Sequence, residues 1–212
     1  YCITYTTNQL YTIDITTGTE TLIANVNGVT GGHNVSGMAC DKSTGIMYVS
    51  STNITASDIY TVNLTTGALT LIGTTGIPGI IEIAIDGTGT MYAWDIVNDE
   101  AFTVNKTTGA STLLGPLGFN LNYAQGGNWD PLTDQIYLAA YTTSGKLMTM
   151  NKETGALSVW ILGMFQANES ATIMIPYQKG DTSILGPKVN DNYFVKIPPE
   201  RLIIKDGIMF FK

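Results

Sequence analysis

The chain has 212 residues, of which 44% are hydrophobic and only 13% are charged, and its formal net charge is −7. This length allows one ordinary domain with a sizeable core, or one domain with an appendage. The acidic balance disfavours nucleic acid and anionic membrane surfaces as partners. No apolar run approaches the roughly 20 residues that a membrane helix needs, so no membrane span is expected.

A nine-residue pattern, LYTIDITTG in its first copy at 10–18, occurs four times along the chain. The later copies begin at residues 59, 101 and 147. Their closing glycines, at 18, 67, 109 and 155, lie 49, 42 and 46 residues apart. Repeats of about 40–50 residues that are rich in short strands are typical of a β-propeller. The sequence therefore predicts an all-β fold.

A second pattern alternates with the first and contains an apolar strand, an Asp-led turn and a strand with a Tyr. Its copies lie at 37–50, 83–94 and 127–139. Together the two patterns predict four-stranded antiparallel blades over 36–73, 80–115 and 124–163, with the strands of each blade lettered A to D. The Asp or Asn at the start of each turn can accept hydrogen bonds from backbone N–H groups, and the Gly at the end of the turn permits a positive φ. We therefore interpret these repeated carboxylates and amides as structural rather than metal-binding or catalytic.

The first and last repeats are incomplete in complementary ways. Tyr1 aligns with Tyr48, Tyr92 and Tyr137, so the first copy lacks strand A. Residues 170–176, SATIMIP, read as a strand A that nothing follows. We predict a four-bladed β-propeller over 1–176 whose first blade is closed by 170–176, because such closure removes an open sheet edge. The rival expectation is an open fragment that donates 170–176 to a neighbouring molecule.

Residues 177–212 contain no repeat and differ in charge. The body at 1–176 has four Lys or Arg against 13 Asp or Glu, a net of −9, whereas the extension has six against four, a net of +2. Asp206-Gly207 between two apolar runs predicts a β-hairpin. So short a segment has no core of its own, so we expect it to dock on its own body or on a neighbouring subunit. The candidate assembly residues are Tyr193, Phe194, Val195, Leu202, Ile203, Ile204, Ile208, Met209, Phe210 and Phe211.

The other candidate sites are two cysteines, five sequons, one histidine and an acidic cluster. Cys2 and Cys40 fall in neighbouring blades and are a candidate disulfide, with two free thiols as the alternative. Five Asn-x-Ser/Thr sequons on predicted loops are candidate glycosylation sites, at Asn34, Asn53, Asn63, Asn105 and Asn168. His33 is interpreted as a solvated loop residue. No cofactor is expected, although the acidic cluster of Asp95, Asp99 and Glu100 offers the oxygen ligands that Ca²⁺ prefers.

These repeat motifs resemble secreted β-propeller-repeat proteins of environmental bacteria, notably Bacteroidota. The resemblance covers about 1–176 and implies an extracellular or cell-surface location. The residues Leu202 to Gly207 resemble the end of a C-terminal sorting domain, which implies a sorting or assembly role for the extension. The absence of Met at position 1 indicates a processed chain or a fragment of a longer protein.

The sequence contains no phosphate-binding Gly-rich loop, no zinc-spaced Cys pair and no Gly-x-Ser-x-Gly elbow. We therefore expect a non-enzymatic extracellular structural or interaction protein that self-assembles through its extension into an oligomer or a fibre. The alternative is a lectin-like, glycan-binding propeller that stacks sugars on Trp94, Trp129, Tyr123 or Tyr141, although these aromatics also suit the blade core. A propeller enzyme is the third hypothesis.

Overall fold

The computed structural model describes residues 1–5, 7–122, 126–143 and 145–161, and the backbone of strands at 171–176, 188–189, 192–197, 202–205 and 208–211. The chain is all-β and forms a four-bladed β-propeller, as predicted. Within these described residues no helix is long and apolar enough to cross a membrane.

The blades are antiparallel sheets whose strands follow one another in chain order. The first blade has three described strands: β1 (Cys2–Ile3), β2 (Gln9–Ile13) and β3 (Glu20–Asn25). The second has four: β4 (Asn34–Asp41), β5 (Ile46–Thr52), β6 (Ser57–Val62) and β7 (Leu69–Thr74). The third also has four: β8 (Ile80–Ile85), β9 (Met91–Asp95), β10 (Glu100–Val104) and β11 (Ser111–Pro116). The fourth comprises β12 (Gly126–Asp130), β13 (Gln135–Tyr141), β14 (Gly145–Met150) and β15 (Leu157–Ile161).

Among the residues whose side chains the structure describes, the core forms three apolar layers, each between two consecutive blades. Leu10 and Tyr60, both with no exposed surface, pack between the first and second blades. Ile59 and Ile83 form the next layer. Trp94 and other fully buried side chains fill the third. The alternation of inward and outward residues along each strand produces these faces, because successive side chains point to opposite sides of a sheet.

The turn residues have the structural role that the repeats predicted. Asp14 Oδ1 accepts the N–H groups of Thr16 and Thr17 at 2.8 and 2.9 Å. Asn63, Asn105 and Asn151 accept the equivalent pairs in the later blades. The four closing glycines all have φ between +69° and +77°. That left-handed conformation favours glycine over any residue with a Cβ.

The same glycines also join one blade to the next. A Cβ on Gly67 would lie 2.5 Å from the carbonyl oxygen of Asn25 in the preceding blade, and one on Gly109 would lie 2.6 Å from Gly73. A Cβ on Gly155 would meet Ala101 at 2.6 Å. A Cβ on Gly18, by contrast, would have no neighbour within 4 Å. The described contacts therefore repeat at three junctions and are not made at the fourth, between the last blade and the first.

Two ion pairs reinforce the later junctions. Lys106 in the third blade contacts Asp41 in the second at 2.5 Å, and Lys152 in the fourth contacts Asp86 in the third at 3.2 Å. Burial alone would raise the pKa of Asp41, but the hydrogen bonds from Lys106 and Ser43 hold it well below the usual range. The residue equivalent to these lysines in the first blade is Ile15, which is fully exposed.

The expected closure of the first blade by residues 170–176 is corrected by the strand pairing. Strand β16 (Ala171–Pro176) pairs antiparallel with β18 (Asn192–Ile197) over six positions, and β1 pairs only with β2 among the described strands. Two physical differences favour β18. It offers a six-residue ladder where β1 offers two residues, and it lies far nearer along the chain, which lowers the entropy cost of loop closure.

The extension forms small sheets outside the four blades. The two-residue β17 (Lys188–Val189) also pairs with β18, which gives the order β16-β18-β17. The predicted hairpin is present as β19 (Leu202–Lys205) and β20 (Ile208–Phe211), with Leu202 opposite Phe211. Its Asp206-Gly207 turn lies outside the described residues. Because β16 precedes residue 177 and β18 follows it, one sheet crosses the predicted domain boundary.

Candidate functional site

A cavity of about 950 Å³ lies where the first, second and third blades meet. The first blade contributes Tyr1, Cys2, Ile3 and Tyr5 to its lining. The second contributes residues 32, 34–38 and 52–54, and the third contributes Ile81 and Glu82. The volume falls in the range of small-molecule pockets, and the lining combines apolar surface with a few polar groups. It is the best candidate for a binding site among the described residues.

Glu82 is the chemically distinctive group in this cavity. It lies at a β-bulge, where the register of β8 against β9 shifts between Ile80 and Glu82. Such bulges change the direction of a side chain, and this one directs the carboxyl group toward β4, strand A of the second blade. Glu82 Oε1 accepts the N–H of Met38 at 3.1 Å and that of Ile83 at 3.0 Å. The N–H of Gly127 in the fourth blade donates to the same carboxyl group.

The surroundings of Glu82 change its acidity. Burial raises its pKa to about 8, although the three backbone hydrogen bonds act in the opposite direction. The side chain keeps partial exposure because it faces the cavity. A large share of the carboxyl groups is therefore protonated at neutral pH. A protonated carboxyl can donate a hydrogen bond to a ligand, and it loses its proton readily if the ligand is a cation.

Gly37 makes this arrangement sterically feasible. A Cβ at Gly37 would lie 2.7 Å from Glu82 Cα and would also overlap the Glu82 carboxyl group. In the strand pairing, Gly37 lies opposite Ser50, Glu82 opposite Trp94 and Gly126 opposite Ala139, which are equivalent positions in three blades. A single Glu where the other repeats have Gly is the sequence signal that could have identified this residue, and our sequence analysis missed it.

His33 was interpreted as a solvated loop residue, and the structure corrects this. Its side chain is only 5% exposed, and Nδ1 lies 3.0 Å from Ser51 Oγ and 3.3 Å from Asp58 Oδ2. A Ser-His-Asp relay needs the serine and the carboxylate on different ring nitrogens. Here both contact Nδ1, so the arrangement is a buried hydrogen-bond network rather than a catalytic relay.

Cys2 and Cys40 are both free, half-buried cysteines, so the predicted disulfide is not formed in the structure. Their predicted placement in neighbouring blades is right, because Cys2 is in β1 of the first blade and Cys40 is in β4 of the second. The two cysteines lie near opposite ends of β4. Cys2 lines the cavity beside the start of β4, whereas Cys40 is next to the Asp41 turn at the other end of that strand.

The sequons at Asn53, Asn63 and Asn105 fall on loops or turns as expected, whereas Asn34 is the first residue of β4. In the acidic cluster only Asp99 lies in a loop, since Asp95 ends β9 and Glu100 begins β10. Asn34, Asn53, Asn63 and Asn105 are exposed, and Asn168 lies outside the described residues. The carboxyl group of Asp95 is fully buried and accepts N–H groups from Val97, Asn98 and Glu100. Burial raises the pKa of Asp95. No group of three His, Cys, Asp or Glu in the described part of the chain is placed to hold a metal ion.

The proposed sugar-stacking aromatics separate into different environments. Trp94 is fully buried in the core and cannot act as a platform. Trp129 is half-buried, with Lys42 Nζ 5.4 Å from its ring centroid and Nε1 donating to Asp134 at 2.8 Å. Tyr141 is 43% exposed, and Tyr123 lies outside the described residues. Of the candidate assembly residues, all lie within β18, β19 and β20.

Comparison with known proteins supports the fold and little more. Residues 128–212 match a family described as a family of unknown function (DUF6786), which is less than half of the chain. No curated protein matches. A structural-genomics protein of unknown function from Bacteroides thetaiotaomicron is similar with a TM-score of 0.55 and 16% identity, over 79% of this chain and 44% of that one. This chain therefore spans less than half the length of that protein.

Two further solved structures are similar. A chain of the nidogen/laminin complex has a TM-score of 0.53 and 16% identity, over 80% of this chain and 68% of its own length. A PQQ-bound aldose sugar dehydrogenase from Streptomyces coelicolor has a TM-score of 0.48 and 12% identity, over 92% and 89% of the two chains. At these identities the likeness shows the fold alone. In its fold the chain resembles propeller-type proteins.

Proposed function

We propose that this chain is a non-enzymatic extracellular interaction module that self-assembles through its C-terminal extension. One observation carries the proposal: the extension forms sheets of its own instead of completing a blade. The hairpin β19–β20 has only two strands, and an isolated two-stranded hairpin is marginally stable in water. It therefore needs a further surface, and its open edges can add to a sheet of another molecule.

The charge distribution supports association between copies. The propeller body carries a net −9 and the extension a net +2, so the extension of one copy is attracted to the body of another. An extracellular location would also expose the sequons at Asn34, Asn53, Asn63 and Asn105 to glycosylation, since all four are accessible. An assembly that joins unlike surfaces produces rings or fibres.

The test compares two full-length variants that carry the same charge in different places. Ile204→Lys lies in β19, and Leu113→Lys lies on β11, the outermost strand of the third blade, where Leu113 is 54% exposed. We expect sedimentation velocity to show oligomers for the wild type and for Leu113→Lys, and a shift to monomer for Ile204→Lys. A wild type that remains monomeric at every concentration overturns the proposal.

A second candidate function, binding of a small ligand such as a sugar, is favoured by the cavity that the first three blades line. Tyr1 and Tyr5 line it and are 55% and 64% exposed, so their rings are available for stacking. Glu82 provides a hydrogen-bonding group at the same site. A glycan array probed with wild type and with Tyr5→Ala tests this, and equal signals from the two proteins would remove the cavity from consideration.

A further inference from the structure

Strand A of the second, third and fourth blades is the end strand of its sheet. Among the described strands, β4, β8 and β12 each pair only with the strand that follows them, and β8 lies close to both β4 and β12. In an antiparallel ladder, every second residue of a strand points its N–H group away from the partner strand. The N–H groups on the other edge of β4, β8 and β12 therefore need a different acceptor.

One N–H group from each of these strands finds the same acceptor. Met38 in β4, Ile83 in β8 and Gly127 in β12 are equivalent, because each lies three residues before the Asp of the next turn. All three N–H groups donate to the carboxyl group of Glu82. The hydrogen bonds from Met38 and Ile83 measure 3.1 and 3.0 Å. We call these three N–H groups, which come from three different blades, the donor ring.

The donor ring has the chemistry of an anion site. Convergent backbone N–H groups bind anions because each carries a partial positive charge. Among the described residues no Lys, Arg or His forms an ion pair with Glu82, so peptide groups receive this carboxyl group without the help of a cation. Their three hydrogen bonds lower the pKa of Glu82, against the larger effect of burial, because they favour the charged form.

The ligand of the donor ring comes from a single side chain that the other repeats do not have. The positions equivalent to Glu82 in the neighbouring blades are Gly37 and Gly126. The missing side chain of Gly37 leaves the space that the carboxyl group fills, because a Cβ there would overlap it. The donors themselves are backbone groups held by strand pairing. Removing the carboxyl group should therefore leave the ring in place.

We propose that the donor ring is a carboxylate-binding site in its own right and that Glu82 is its tethered ligand. Tethering gives the carboxyl group a high effective concentration, which keeps external anions out of the wild-type site. Without a carboxyl group at position 82, the ring binds a small external carboxylate, which reaches it through the cavity that Glu82 lines. Formate fits best, because its carbon and two oxygens match the end of the Glu side chain. The site does not depend on the proposed self-assembly.

Rescue of Glu82→Ala by formate tests the proposal. This variant keeps the Cβ of residue 82 and adds no atom, so it vacates the ring without creating a new contact. Full-length wild type, Glu82→Ala and Glu82→Gln are unfolded in urea at pH 7 with increasing sodium formate. We expect the urea midpoint of Glu82→Ala to rise and then to level off, because a ligand that binds only the folded state stabilises it.

Two controls separate binding in the ring from other effects. The amide oxygen of Glu82→Gln still occupies the ring, so its midpoint should depend on formate only as weakly as that of the wild type. Formamide is neutral and close to formate in size, and it should shift the midpoint of Glu82→Ala several-fold less than formate does. An equal response of all three proteins to formate would overturn the site, because it would be an effect of ionic strength.

A second measurement uses proteins that retain an occupied ring. Because Met38, Ile83 and Gly127 donate to one carboxyl group, their amide NMR shifts should move together, with one midpoint, as the wild type is titrated across neutral pH. The same three shifts should stay constant in Glu82→Gln. Amides that titrate separately or not at all would overturn the donor ring. A Glu82→Ala chain that folds neither with nor without formate would contradict a vacant ring that formate can fill.

Discussion

Replacing Glu82 by Gln is expected to change how the stability of the propeller depends on pH. Burial raises the pKa of Glu82 to about 8 from its ordinary value of 4.5. The folded state therefore binds a proton more tightly than the unfolded state. The resulting stability is fully present below pH 4.5 and is lost as the pH rises through about 8. Gln resembles the protonated form, and its amide oxygen can accept the same N–H groups from Met38 and Ile83.

The size of the effect follows from the shift. Each pKa unit corresponds to about 1.4 kcal/mol, so the free energy of unfolding falls by up to about 4 kcal/mol between pH 4.5 and pH 8. Solvent in the cavity screens the carboxylate, and we expect about half of that ceiling. Asp41 and Asp86 have lowered pKa values, so their contributions are lost only at acid pH, outside the window of pH 5 to 8.

Urea unfolding at pH 5, 6, 7 and 8 measures the effect for wild type and Glu82→Gln. Groups other than Glu82 titrate alike in both proteins, so their contributions cancel in the difference. We expect the two proteins to be nearly equal in stability at pH 5 and the variant to be about 2 kcal/mol more stable at pH 8. A difference that stays constant across this range would refute the assignment of a raised pKa to Glu82.

Three further outcomes are expected. Gly37→Ala should lower the free energy of unfolding by about 1–3 kcal/mol, because the added Cβ meets backbone of β8 that cannot move away. Gly126→Ala is the control and should have little effect, because its Cβ would meet nothing within 4 Å; chemical denaturation measures both variants. Lys106→Ala should lower the free energy of unfolding by about 1–3 kcal/mol at pH 7, because it leaves the buried Asp41 without its cation. This loss should shrink as Asp41 becomes protonated in acid, and a loss that does not change with pH would contradict the role of the ion pair. Thiol titration of the unfolded, unreduced protein should find two free thiols per chain, and a value near zero would restore the disulfide.

The repeats allowed the blades to be predicted from the sequence, but they did not reveal the cavity around Glu82. A turn such as Asp14 to Gly18 depends on local hydrogen bonds and on a positive φ, and both are encoded by residue type at fixed spacing. The cavity depends instead on a contact between β4 and β8, where Glu82 meets a glycine 45 positions earlier. Such a contact is visible only when the blades are placed side by side. The pairing of β16 with β18 was missed for the same reason, because β1 and β18 were both available as partners for β16.

The glycine junctions between blades have a consequence for how the molecule opens. Each blade is held chiefly by its immediate neighbours, so stability along such an array is close to a sum of nearest-neighbour contributions. In the part of the chain that the structure describes, the third blade packs against both the second and the fourth, whereas the first blade packs against the second. The amides of the first blade should therefore exchange with solvent at the lowest opening free energies, and those of β8 and β9 at the highest.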